Sequence, residues 1–269
     1  MERKSKGLLE SKHLWSYIKV VTVAISQFKS SQVIPPFVQL LGMLPNVHTL
    51  EVLYVTIDIP SPEDFKRYFK GYTFPSMQKV VLPAYAREIL RCCPNVKEVT
   101  CNRDFGEYGQ LCDALIHIGC PNLEVIRGFT IGSVPLKRLG RVSPSLRCIR
   151  IDGRVFTRRN PTEDILQLTS FSVLHSLRVI EIDCFEDNPV EKAVKLAIDV
   201  LRKCAENKPT TKGRDSRRTS IARVGLNSLK SPCFEPRLVR ILRYAFSHTY
   251  GRTPSDFVPV RIEEFPVKL

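Results

Sequence analysis

The sequence predicts an α/β fold built as a solenoid, in which short parallel strands alternate with helices on the convex side. Two observations predict it: one short apolar phrase recurs along the chain, and segments with helical spacing lie between its copies. The chain has 269 residues, of which 43% are hydrophobic, so it is long and apolar enough to bury a core.

The repeated phrase reads Pro-(Asn/Ser)-apolar-x-x-apolar-x-apolar, where x is any residue. Five copies begin at Pro45, Pro75, Pro94, Pro121 and Pro144, a sixth at His175 lacks only the proline, and the apolar part alone recurs at Ile18 and Ile221. Successive copies are 19 to 44 residues apart, and most intervals lie near the roughly 20–29 residues of leucine-rich repeats. We therefore expect about eight irregular repeats.

The spacing explains how each copy forms a strand. The last two apolar residues are two apart, so both point to one face of an extended segment and enter the core. Between copies, Ser61-Pro62, Asn160-Pro161 and Asn188-Pro189 each place a capping residue before a proline, which is typical of a helix start. A doubly wound α/β sheet also alternates strands and helices, but the recurring phrase favours the solenoid.

The chain divides into four regions. Residues 1–16 form a charged lead-in, residues 17–206 hold the repeat stack, and residues 207–220 have no large apolar residue and are expected to form a mobile basic loop. Residues 221–269 would supply the last repeat, a C-terminal capping helix over 235–250 and an irregular tail from 251. The capping helix is predicted from helical spacing of Leu238, Ile241, Leu242, Ala245 and Phe246, with Arg237, Arg240 and Arg243 on another face.

The positive charge is concentrated late in the chain. The net charge is +14, and residues 202–252 carry thirteen basic and three acidic residues, a local charge of +10. A basic patch at Arg214, Arg217 and Arg218 could bind nucleic acid or another anionic partner, but no aromatic residue lies within 208–218, which favours a solvated loop. Ser220 follows Arg217-Arg218-Thr219 as a candidate phosphorylation site, which would partly neutralise the patch.

No catalytic motif is present in the sequence. Phosphate-binding loops, nucleophile elbows and zinc-protease motifs are all missing, the five histidines are scattered, and the nine cysteines contain no C-x-x-C pair. Adjacent Cys92 and Cys93 are expected to be small buried thiols. We therefore expect a non-enzymatic, monomeric protein without cofactor, metal or membrane span, located inside the cell in the cytoplasm or nucleus.

The strands also predict a binding surface. The residue between the two core positions of each copy points outward onto the concave face, where mixed charge and exposed apolar side chains are typical of protein-binding surfaces. The candidate partner-binding residues on this face are Glu51, Val81, Thr100, Arg127, Phe129, Arg150 and Glu181.

Five segments carry a resemblance to a known family: HLWSYIKVVTVAI, LLGMLPNVHTLEVLYV, CCPNVKEVTC, GCPNLEVIRGF and LHSLRVIEIDC. Together they resemble the leucine-rich-repeat region of the large F-box protein group of mushroom-forming fungi, over most of residues 13–206. The resemblance implies substrate recognition for a cullin-type ubiquitin ligase. Residues 1–12 lack the Leu-Pro-x-Glu opening of an F-box, so the ligase adaptor is expected as a partner only if an F-box lies upstream.

Overall fold

A computed structural model gives the structure of the chain. It describes residues 7, 10–25, 30–53, 55, 59–102, 108–129, 136–152, 174–185, 191–206, 237–244 and 261–267.

These residues form one open sheet of nine strands in chain order. The strands are β1 (Val20–Ala24), β2 (Thr49–Leu53), β3 (Lys79–Leu82), β4 (Glu98–Cys101), β5 (Val125–Phe129), β6 (Cys148–Asp152), β7 (Val179–Phe185), β8 (Leu238–Tyr244) and β9 (Arg261–Pro266). The first eight are parallel and β9 is antiparallel to β8. The predicted α/β class with a largely parallel sheet is therefore confirmed, and β1 to β7 each contain the last two core positions of a copy of the phrase.

The helices pack in chain order against one face of the sheet. They are α1 (Ser30–Met43), α2 (Pro62–Phe69), α3 (Tyr108–Ile118), α4 (Leu136–Val142) and α5 (Glu191–Glu206), with 3-10 helices at Lys12–Tyr17 and Ala84–Cys92. Strand residues such as Leu50 and Val80 share one continuous core with Phe65 and Phe69 of α2. No helix among the described residues is both long enough and apolar enough to cross a bilayer.

The predicted helix starts are confirmed where the structure describes them. Ser61 precedes α2, and its Oγ accepts a hydrogen bond from the Glu63 N–H at 3.1 Å. The helix predicted after Asn188-Pro189 is α5, although residues 186–190 lie outside the described ranges. The helix expected after Asn160-Pro161 also lies outside them.

The Asn or Ser of the phrase bonds to the preceding repeat. Asn46 Nδ2 donates to the Ser16 carbonyl at 2.7 Å, Asn95 Nδ2 donates to the Pro75 carbonyl at 2.9 Å, and Ser76 Oγ donates to the Val47 carbonyl at 2.9 Å. Each bond joins the turn before one strand to the equivalent turn of its neighbour. The Asn or Ser side chain thus donates a hydrogen bond to a backbone carbonyl that lies before the neighbouring strand begins, where strand pairing does not reach.

The predicted C-terminal capping helix is wrong over residues 238–244. These residues form β8, which pairs with β7 at seven positions, and Val239 and Ile241 are buried in the alternating pattern of a strand. The spacing of Leu238, Ile241 and Leu242 imitates a helix, but the unpaired edge of β7 offers hydrogen bonds that a helix would leave unused.

The irregular tail expected from residue 251 is also wrong at its end, where residues 261–266 form β9. The strand predicted at 221–226 and the loop predicted at 207–220 lie outside the described residues. A strand pair, rather than a helix, therefore ends the described sheet.

The copy that begins at Pro121 and ends on Gly128 contains a bulge. Gly128 has φ of +75°, and a Cβ at this position would lie 2.4 Å from the Cys101 carbonyl oxygen, so only glycine fits. The register shifts between Ile126 and Phe129, which places Phe129 opposite Ile151. Arg127 and Gly128 of β5 therefore lie opposite the single residue Arg150 of β6, which is the pattern of a β-bulge.

Candidate binding face

The sheet face that points away from the helices is called the open face below, and it carries the residues predicted for the binding surface. The register places Thr22, Glu51, Val81, Thr100 and Arg127 side by side on β1 to β5. The same row continues through Arg150, Glu181, Arg240 and Glu264 on β6 to β9. The predicted row of outward residues is therefore confirmed as a set of neighbours, and Arg240 and Glu264 extend it.

A groove with a volume of 670 Å³ runs along this face. Its lining is formed by Thr49, Glu51, Lys79, Val81, Glu98, Thr100, Arg127, Arg150, Glu181, Arg240, Leu242, Ile262 and Glu264. Six of the seven predicted partner-binding residues line it. The side chain of the seventh, Phe129, is outside the part of the chain that the structure describes. Because eight strands supply the lining, the groove is a continuous surface rather than a local pit.

Six alternating charges form a chain of ion pairs across the groove, called the charge ladder below. Its members are Lys79, Glu98, Arg127, Glu181, Arg240 and Glu264, each paired with the next. The Nζ of Lys79 lies 2.8 Å from Glu98 Oε1, and Arg127 Nη1 donates to the same oxygen. The charge ladder therefore joins residues on different strands, and the two members of each pair are 19 to 59 residues apart in the sequence.

Arg127 and Arg240 converge on one buried carboxylate. Arg127 Nε lies 3.3 Å from Glu181 Oε2, so the Arg127 side chain reaches from β5 across β6 to β7, and Arg240 Nη1 lies 2.9 Å from Glu181 Oε1. Only 7% of the Glu181 side chain is exposed, against 43% for Lys79 and 52% for Glu264 at the ladder ends. Attraction between charges grows as water is excluded, so the central pairs are the strong ones.

The ladder shifts the ionisation of its members. Burial by itself would raise the pKa of Glu98, but the hydrogen bond from Lys79 and the charge of Arg127 outweigh burial and lower that pKa. Burial likewise disfavours the charged form of Arg127, yet the carboxylates of Glu98 and Glu181 raise its pKa. Both groups therefore stay charged around neutral pH, and the ladder is intact there.

Arg150 is engaged in a separate pair beside the ladder. Its Nε donates to both carboxylate oxygens of Asp183, at 2.7 and 2.9 Å, and Asp183 is buried. Thr100 is also buried. Arg127 and Arg150, predicted as exposed anchors for a partner, are thus half-buried and held by carboxylates of the same sheet.

The β1–β2 end of the open face, defined by Val20, Thr22, Thr49, Glu51 and Leu53, is arranged differently. Glu51 Oε2 accepts a hydrogen bond from the Thr22 hydroxyl at 3.1 Å, and no cation of the described chain lies within ion-pair distance of it. Val20 and Leu53 on the same strands remain 55% and 38% exposed. This end offers a carboxylate and aliphatic surface to solvent.

The other chemically active side chains are structural. Seven cysteines of the described chain, including Cys92 and Cys93, are buried and are not in disulfide bonds, and burial is what the sequence predicts for that pair. Burial raises the pKa of Cys92 to about 11 and that of Cys112 to about 12, so neither forms a thiolate at neutral pH. Within the described ranges, no group of three or more His, Cys, Asp or Glu residues is arranged to hold a metal ion.

The basic patch at Arg214, Arg217 and Arg218, and the candidate phosphorylation site Ser220, lie outside the described residues. Two other arginines of the basic region have internal roles. Arg237 is 2% exposed and donates to the carbonyls of Leu201 and His175, while Arg240 belongs to the charge ladder. These two therefore do not contribute free positive charge.

Comparison with known proteins found no protein-family model and no curated protein that matches the chain.

Proposed function

We propose that the chain is a non-catalytic protein-interaction module of the leucine-rich-repeat type, which binds a protein partner along the open face. The proposal extends to the role implied by the family resemblance, the recognition of substrates for an F-box-type ubiquitin ligase inside the cell.

One observation carries the binding proposal. Strands β2 to β9, paired in chain order, place a 670 Å³ groove on a face that no described helix covers. The groove is lined by Thr, Val, Leu and Ile side chains between charged ones, and interfaces combine apolar contacts and hydrogen bonds in this way. Helices cover the opposite face, so the open face is the larger accessible part of the sheet.

Nucleic acid is the alternative partner, through residues 202–252. It would depend on phosphate contacts from unpaired basic side chains. The cations that line the described groove, Lys79, Arg127, Arg150 and Arg240, are each paired with a carboxylate, so that face does not support nucleic-acid binding. Residues 207–236 lie outside the described ranges. This alternative stays a prediction.

Val81 gives a direct test of the proposed face. It lines the groove at a half-buried position and takes part in none of the ion pairs, so Val81→Arg should obstruct the groove while the fold survives. Met43→Arg, at an exposed position on α1, is the matched control. Proteins bound by the purified wild type in a cell extract, quantified by mass spectrometry, should be retained by Met43→Arg and lost with Val81→Arg. Equal recovery with both variants would contradict the proposal.

A further inference from the structure

Glu51 is the acidic member of the groove lining that the sheet itself leaves without a cation. The other acids of the groove lining, Glu98, Glu181 and Glu264, each contact an arginine. Glu51 receives one hydroxyl hydrogen bond, from Thr22. Lys79, on the strand next to it, is directed to Glu98 instead.

The charge of the groove differs from the charge of the chain. The net charge of the chain is +14, whereas the groove lining and the paired Asp183 together contain four cations and five carboxylates. Each of the four cations is held in a pair. Among the residues that the structure describes, the uncompensated charge of the groove is thus the negative charge at Glu51, which favours a positively charged ligand group there.

The surface around Glu51 is apolar and can pack against the methylene stem of a Lys or Arg side chain. Val20 and Leu53 are exposed, and both lie on outward strand positions, two residues from Thr22 and Glu51 respectively. Val81 lies opposite Glu51 in the register. Lys and Arg side chains pack their methylene stems on apolar surface while the charged end stays at a polar group.

We propose that the β1–β2 end of the open face binds a peptide segment of a partner protein in which a Lys or Arg lies beside aliphatic residues. The charged group pairs with Glu51, and the aliphatic side chains contact Val20, Leu53 and Val81. This inference rests on the proposed function, because it names the chemistry of the partner for the same groove.

The test uses the full chain and a phage library of random linear peptides as the probe. Peptides are selected on immobilised wild-type protein, and the strongest sequence is synthesised twice, once as selected and once with its basic residue changed to Glu. Fluorescence anisotropy then gives the Kd of both peptides for the wild type, Glu51→Lys, Val81→Arg and Glu191→Lys. Glu191→Lys makes the same charge change at an exposed position on α5, on the other side of the sheet.

We expect selected peptides to contain Lys or Arg beside aliphatic residues. Glu51→Lys should weaken the selected peptide about tenfold or more, and should bind the Glu-substituted peptide better than wild type does. Glu191→Lys should leave Kd within about twofold, since the charge is distant and screened. Among the described residues, Glu51 has one hydrogen bond, from Thr22, and no ion pair, so thermal unfolding of Glu51→Lys should match that of the wild type.

Two results would overturn the inference, and they are distinguishable. Peptides that lose binding with Val81→Arg but carry no basic residue, or are insensitive to Glu51→Lys, would contradict the role of Glu51 and leave the proposed function standing. Failure to select any peptide that Val81→Arg weakens would contradict both.

Discussion

The two ends of the open face share one strand register but satisfy their charges in opposite ways. From β3 to β9, alternating charges pair with each other and bury Glu181 at the centre of the charge ladder. At β1 and β2, Glu51 and the exposed Val20 and Leu53 face solvent. Charged residues that line a groove can therefore stabilise the sheet by pairing with one another. A charged residue without such a pair, such as Glu51, is the better candidate for binding a partner.

The largest expected effect comes from the bulge that lies next to Arg127. Gly128→Ala should lower the free energy of unfolding by about 3 kcal/mol or more, because the new Cβ meets the Cys101 carbonyl oxygen and the residue keeps a positive φ. Gly71→Ala is the control, since Gly71 has φ of +87° but open space around its Cβ position, and should cost only about 1–2 kcal/mol. Equal losses in urea unfolding would show that the close approach at Gly128 is unimportant.

The comparison between the two ends predicts the next effect. Glu181→Gln removes the charge on which Arg127 and Arg240 converge, and should lower the free energy of unfolding by about 2–3 kcal/mol. Glu51→Gln makes the same chemical change at a solvent-exposed carboxylate without a cation, and should change it by less than about 0.5 kcal/mol. Denaturant titrations of both variants measure the difference, and similar values would remove the distinction between the ends.

The smallest expected effect is a pH dependence at Glu98. Because the folded state lowers the pKa of Glu98 below its ordinary value of 4.5, the ladder contributes full stability above that value and loses it as the pH falls further. The wild type should therefore exceed Glu98→Gln in free energy of unfolding by about 1 kcal/mol at pH 7, and this margin should shrink from about pH 4.5 downwards. A margin that grew on acidification would contradict the assigned direction of the shift.

The sequence predicted much of this architecture because the dominant signals are local. The phrase located β1 to β7, and Ser61-Pro62 located the start of α2, since capping and alternation act within a few residues. The apolar spacing of residues 238–244 predicts a helix, but it also fits a strand. Pairing with β7 decides between the two, and that pairing is a long-range contact.

The sequence predicted which residues share the open face, but not which of their charges form ion pairs with one another. Strand register follows from the repeat, so the outward row through Glu51, Arg127 and Glu181 could be derived. The pairing of the charges depends on how far each side chain reaches across the strands. The Arg127 side chain crosses β6 to reach Glu181, and the sequence alone does not show that the two side chains meet. The one sequence signal for the bulge was Gly128, which ends the copy that begins at Pro121 where the other proline-led copies end on a larger residue.

Backbone hydrogen exchange on the wild type, with and without the selected basic peptide, tests the division of the open face most directly. We predict that bound peptide slows exchange in Val20–Ala24 and Thr49–Leu53, while exchange in Val179–Phe185 and Leu238–Tyr244 changes little. Protection centred on Val179–Phe185 and Leu238–Tyr244, with Thr49–Leu53 unchanged, would show that the charge ladder itself is the binding surface and would contradict the account.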